Sequence, residues 1–127
     1  MAYDNDNIFA KILRGEIPNT TVYEDENILA FNDISPRTPI HVLVIPKRPY
    51  VDMDDFVING TPEEVSNFYA KVVEITHQLG LKEDGYRLVA NTGKNSGQLV
   101  PHFHIHIMSG RQLGEAGMTA GMKGIDS

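Results

Sequence analysis

Hydrophobic and polar positions along the chain fall into two rhythms. In NIFAKILRGEIP, the apolar residues Ile8, Phe9, Ile12 and Leu13 share one face at helical spacing. Asn7 can cap the start of this short helix, and Gly15 followed by Pro18 ends it. TTVYED and NILAFNDI then read as strands, parted by the acidic turn Glu24-Asp25-Glu26. SPRTP carries two prolines in five residues and predicts an extended loop, and IHVLVIP is a short β-branched strand closed by Pro46. A longer helix begins at TPEE: Thr61 is the N-cap, Pro62 the first helical position, and Glu64 the partner in a capping box. Val65, Phe68, Tyr69, Val72, Ile75, Thr76 and Leu79 carry its apolar face, and Gly80 stops it. GYRLVAN is again a strand, TGKNSG a flexible turn, and VPHFHIHIM the strand that returns beside it as an antiparallel hairpin. The ending, GEAGMTAGMKGIDS, has no periodicity and predicts an irregular tail. The pattern defines an α+β fold: a five-stranded antiparallel sheet with two helices segregated from it. The folded domain is expected over residues 1–113, and the glycine-rich tail over 114–127.

Composition narrows the possible functions. A chain of 127 residues suits one domain, which at this size buries roughly two-thirds of its unfolded surface. The absence of cysteine rules out disulfides, thiolate metal sites and a cysteine nucleophile. A net charge of −6 argues against nucleic acid or an anionic membrane as partner. No apolar run approaches the roughly 20 residues of a membrane-spanning helix. MAYDNDNIF has neither the basic nor the apolar region of a signal peptide, so the expected location is the cytoplasm.

Chemistry concentrates in VPHFHIHIM, which holds three of the five histidines. On a strand, side chains alternate, so His102, His104 and His106 share one face and Phe103, Ile105 and Ile107 the other. With the apolar set on the core, the imidazoles are expected to line an open face about 6.6 Å apart. Three uses compete. The row could be a solvated surface. It could hold a metal ion, with His41 or Asp33 as a further ligand, although no carboxylate lies near the run in sequence. It could also act on phosphorus: a neutral imidazole is a competent nucleophile near neutral pH, a second ring can orient it, and a third can protonate the leaving group. NTGKNSGQ, just before the strand, offers glycine-exposed N–H groups, Lys94, Ser96 and the Gln98 amide to a phosphate, and it is also simply a hairpin loop. His77 lies off the apolar stripe of the long helix and reads as a surface residue. His41, on a short buried strand, could be structural or functional.

HFHIHIM resembles the signature of the histidine triad (HIT) family, in its Hint-like branch. IFAKILRGEIP, LAFNDISPRTPIHVLVIPK, GYRLVANTGKNSGQ and SGR support the resemblance in the family's order over residues 8 to about 111. It implies a HIT-like sheet continued across a homodimer, and a purine nucleoside phosphate (AMP-type) as substrate. It implies that His104 attacks the α-phosphorus to form a nucleotidyl-imidazole. His106 would contact phosphate oxygens and help protonate the leaving group, His102 would orient His104, and His41 would bond to His102. Asp33 would hold the ribose hydroxyls. Ile8, Phe9, Ile12, Phe31 and Ile34 would form the slot for the base, an assignment that sequence cannot separate from ordinary core. Asn91, Gly97, Gln98 and Leu99 would lie on the phosphate side. No metal and no cofactor is expected. The implied activity is a nucleoside phosphoramidase, the alternatives being a dinucleoside polyphosphate hydrolase or a nucleotide-binding regulatory module with little turnover.

Four departures bear on that expectation. Leu99 stands where Hint-like members often carry a serine that assists at the leaving group, and Pro49 where many relatives have histidine. Pro101 lacks an N–H, so the strand must be irregular there. The Trp-Pro-Pro-Gly ending of close relatives is absent.

Overall fold

The computed structural model describes residues 2–113; the expected tail, 114–127, lies outside the described residues. Five antiparallel strands form one sheet in the order β1-β2-β3-β5-β4. They are β1 (Thr21–Glu24), β2 (Ile28–Asn32), β3 (Ile40–Pro46), β4 (Arg87–Val89) and β5 (Ile105–Ser109). Three α-helices accompany them: α1 (Ile8–Leu13), α2 (Met53–Asn59) and α3 (Pro62–Gln78). The expected pair of helices is therefore short by one. Within α2 only Phe56 is buried, so it has no apolar periodicity to reveal it, and it is set by Asp52, whose side chain accepts from the Asp55 N–H.

The other element ends follow their sequence signals. Asn7 caps α1 by accepting from Ala10 N at 2.9 Å, and Thr61 caps α3 by accepting from Glu64 N at 3.1 Å. The Glu64 carboxylate does not complete a capping box; it accepts from the Tyr50 hydroxyl at 2.7 Å and from Arg48 at 3.2 Å. Gly15 and Gly80 end α1 and α3 at φ of +77° and +76°, a region that a side chain disfavours. The TGKNSG turn contains a short 3₁₀ turn over Lys94–Ser96, and β4 and β5 do pair antiparallel.

Strand alternation divides the core in two. Ile28, Ala30, Val42, Val44, Ile105 and Ile107 face α2 and α3, where they meet Phe56, Phe68, Val72 and Ile75. At the centre of this layer Phe56 stacks on Phe103 at 4.9 Å, and Phe68 closes the cluster 5.2 Å from Phe56 and 5.3 Å from Phe103. Each of these rings contributes roughly 1.5–3 kcal/mol by full burial. Leu29, Phe31, Leu43 and Ile45 point the other way, to Phe9 of α1. Because α1 is only six residues long, it roofs part of that face and leaves a gap beside it. Among the described residues no helix is long and apolar enough to cross a membrane.

Candidate functional site

The gap on the α1 side is a cavity of about 500 Å³. Ile8, Phe9, Ile12, Phe31, Asp33 and Ile34 line it, joined by Ile17, Pro18, Leu43 and Val100, which the sequence did not assign to a slot. Their surroundings differ: Phe9 and Phe31 are buried in contact with each other, as core residues are, while Ile8 and Ile34 are exposed. Asn91, Gly97, Gln98 and Leu99 do not line this cavity. Gln98 acts as a brace, accepting from Gly93 N at 2.9 Å and donating to the carbonyls of Val51 (2.9 Å) and Val100 (3.0 Å). Leu99 is exposed.

The histidines abut the cavity. Leu43, on its wall, is registered opposite His106, and the Phe9 ring meets the His104 ring edge-on at 4.9 Å. Two sequence expectations change here. Only His106 lies within a paired strand; His102 and His104 precede β5 in a bend and irregular backbone whose Phe103 N–H bonds to the Tyr50 carbonyl at 2.8 Å. Pro101, which has no N–H to offer a ladder, sits just upstream. The imidazoles also do not line an open face. His102, His104 and His106 are all buried, roofed by Phe9 and by Tyr3, whose ring meets His102 at 5.5 Å.

Hydrogen bonds assign the tautomers, because a carbonyl oxygen can only accept. His102 Nε2–H donates to the Pro46 carbonyl at 2.8 Å, so its Nδ1 carries the lone pair and accepts the Tyr3 O–H at 2.6 Å. His104 Nδ1–H donates to the His102 carbonyl at 2.6 Å, which leaves the lone pair on Nε2. That Nε2 is buried and makes no hydrogen bond within the protein. His41 Nδ1 accepts from the Arg37 N–H at 3.0 Å, so His41 Nε2–H donates to His106 Nδ1 at 2.9 Å, and the His106 proton sits on Nε2. His41 therefore supports His106, not His102. The antiparallel register explains the change: Ile40 pairs with Ser109 and Val44 with Ile105, which carries His102 to the Pro46 end of β3, away from His41.

Burial pushes the His102 ring down to about 4, against the pull of the Pro46 carbonyl. Burial also lowers His41, and Asp33 opposes that shift from 3.5 Å. The other Asp33 oxygen accepts from Ser35 N at 2.7 Å. Asp33, His41 and His106 bring ligand atoms within 4.8 Å of one another, close enough for a metal ion. An ion there would have to displace the proton shared by His41 and His106. Those two nitrogens already bond to each other. His77 is exposed on α3, as expected.

An imidazole held at Nδ1 by a backbone carbonyl, a second imidazole 5.1 Å away between ring centres and an apolar slot with a carboxylate on its lining define a class of site. Comparison with known proteins gives the class its family. Residues 14–113 match the HIT domain, and the chain belongs to that family. It is 51% identical over 112 residues to an uncharacterized 13.2 kDa HIT-like protein of Azospirillum brasilense, covering 88% of this chain and 92% of that one. It is 42% identical over 107 residues to the purine nucleoside phosphoramidase of Escherichia coli K12, covering 84% and 89%. Among solved structures, a HIT family hydrolase from Legionella pneumophila superposes with a TM-score of 0.81 at 41% identity, covering 88% of this chain and 99% of that one.

Proposed function

We propose that the protein is a nucleotide hydrolase that cleaves the bond between the α-phosphate of a purine nucleotide (AMP-type) and its leaving group, with nucleoside phosphoramidates as preferred substrates. One observation carries this reading: the His104 Nδ1–H bond to the His102 carbonyl, which directs a neutral lone pair to Nε2 beside an apolar cavity. The phosphoramidase of E. coli, 42% identical, supports the substrate class. In the first step, His104 Nε2 forms a bond to the α-phosphorus as the P–N bond breaks, and His106 Nε2–H protonates the departing amine. In the second, water attacks the same phosphorus, gives its proton to His106, and the P–imidazole bond breaks to release AMP. Asp33 accepts the ribose hydroxyls, and the cavity takes the base. Two copies pair through β4, an edge strand that exposes Leu88 just after the exposed Tyr86, to continue the sheet. Light scattering should then give twice the 14.1 kDa chain mass. A cytoplasmic setting agrees with a chain free of cysteine.

The test is quenched-flow intact-mass measurement with adenosine phosphoramidate. The expected result is a transient gain of one adenylyl group in the wild type and none in His104→Ala. Normal turnover by the variant would remove His104 as the nucleophile. A second reading, a nucleotide-binding module with little turnover, is favoured by Leu99, which offers no hydrogen bond to a leaving group. AMP binding without turnover of any tested leaving group would establish it.

A further inference from the structure

The residues before α1 make contacts that no nucleotide-binding role requires. They precede the stretch that matches the HIT domain, 14–113. Asp4 fastens them into a turn: its carbonyl accepts from Asn7 N at 3.2 Å and Asn7 Nδ2 at 2.7 Å, and its carboxylate accepts from Asp6 N at 2.9 Å. Arg14, at the end of α1, ties down the Asn5 carbonyl at 2.8 Å. This turn delivers Tyr3 to the histidines. Its hydroxyl lies 2.6 Å from His102 Nδ1, and its ring stands edge-on to the imidazole at 71°. Tyr3 does not line the apolar cavity.

The bond has one sense only. His102 Nε2 is committed as a donor to the Pro46 carbonyl, so Nδ1 accepts and the phenol donates. The same histidine's carbonyl holds His104 Nδ1–H. Tyr3 thus reaches the candidate nucleophile through a single residue. We propose that Tyr3 is a positioning residue for His104: its hydroxyl locks the tautomer and orientation of His102, and so sets the carbonyl that aims His104. The proposal rests on the reading of His104 as the nucleophile. Burial raises the Tyr3 phenol above its ordinary value, which keeps it protonated and donating.

The experiment compares wild type and Tyr3→Phe, which keeps the ring and removes the hydroxyl. Two readouts are taken: histidine side-chain ¹⁵N resonances without substrate, and steady-state kinetics with adenosine phosphoramidate. The wild type should show His102 as a single Nε2–H tautomer. In the variant, the His102 and His104 resonances should move, kcat should fall about tenfold, as expected for one hydrogen bond to a neutral ring, and AMP affinity should stay unchanged. Unmoved resonances would overturn the proposal whatever happens to kcat. Moved resonances with wild-type kcat would overturn it too, leaving Tyr3 as a contact with no consequence for the reaction. Should the wild type itself fail to turn over, the enzyme reading falls alone, and the hold of Tyr3 on the two rings is decided by the spectra.

Discussion

The same strands build both faces of the sheet, one residue out of step, and the faces differ in kind. Toward α2 and α3, Ile105 and Ile107 join three packed phenylalanines in a layer with no buried titratable side chain on the strands. Toward α1, the intervening His106 joins His41, His102 and His104, each buried and each bonded at a ring nitrogen. A 17-residue helix seals the first face; a six-residue helix and a turn cover only part of the second. The phenylalanine core and the histidine cluster are thus separated by the period-two alternation of a strand, and the face with the smaller roof is the one that keeps a cavity.

The comparison is sharpest where one substitution is made on each face. His104→Ala should reduce phosphoramidate turnover on the order of 10⁴-fold or more, with AMP affinity within about tenfold. Its thermal midpoint should fall less than that of Phe56→Ala, because the His104 ring borders an existing cavity. Phe56→Ala should do the reverse, lowering stability by about 3–5 kcal/mol through the cavity it opens, while kcat and KM of the molecules still folded at low temperature are retained. If Phe56→Ala alters KM as strongly as stability, the faces are coupled and the division fails.

Asp33→Asn should act on binding more than on rate. Losing a charged acceptor for the ribose hydroxyls should raise KM roughly 10- to 100-fold, with a smaller change in kcat. An equal fall in kcat at constant KM would move Asp33 from nucleotide binding to the support of His41, 3.5 Å away.

Acid should weaken the histidine face selectively. His102 is held at about 4 when folded and titrates near 6.5 when unfolded, so between those values only the unfolded chain takes up the proton. Its contribution is complete above pH about 6.5 and is lost as pH falls toward 4, by roughly 3 kcal/mol in all. His41, also lowered by burial, acts in the same direction. Urea midpoints measured at pH 7.5 and pH 5 should differ accordingly; a midpoint that does not fall at pH 5 would mean that these rings are not buried in their neutral form.

Much of this arrangement is legible in the sequence, for reasons that also explain what is not. β3 spans the IHVLVIP run and α3 keeps its apolar set, because period and caps are local properties. Alternation likewise separates the histidines from Phe103, Ile105 and Ile107. Alternation says nothing, however, about what covers a face. The roof comes from Phe9 and from Tyr3, a residue 99 positions before His102, so the burial of the row had no signal near the row itself. The partner of His41 depends on strand register, which is a pairing between distant segments. Gln98 offered an amide that could serve a phosphate or the backbone, and only the fold shows it bracing Val51 and Val100.

The central pairing of β3 with β5 has a consequence for how the molecule comes into being. β1, β2 and β3 are consecutive neighbours and can zip as a meander, but His41 and His106 lie 65 residues apart. Closing that loop costs entropy that local pairing does not, so β5 joins late. A chain emerging from the ribosome would pair the strands that wall its apolar slot well before His104 and His106 reach them, and the histidine cluster is complete only with the last strand.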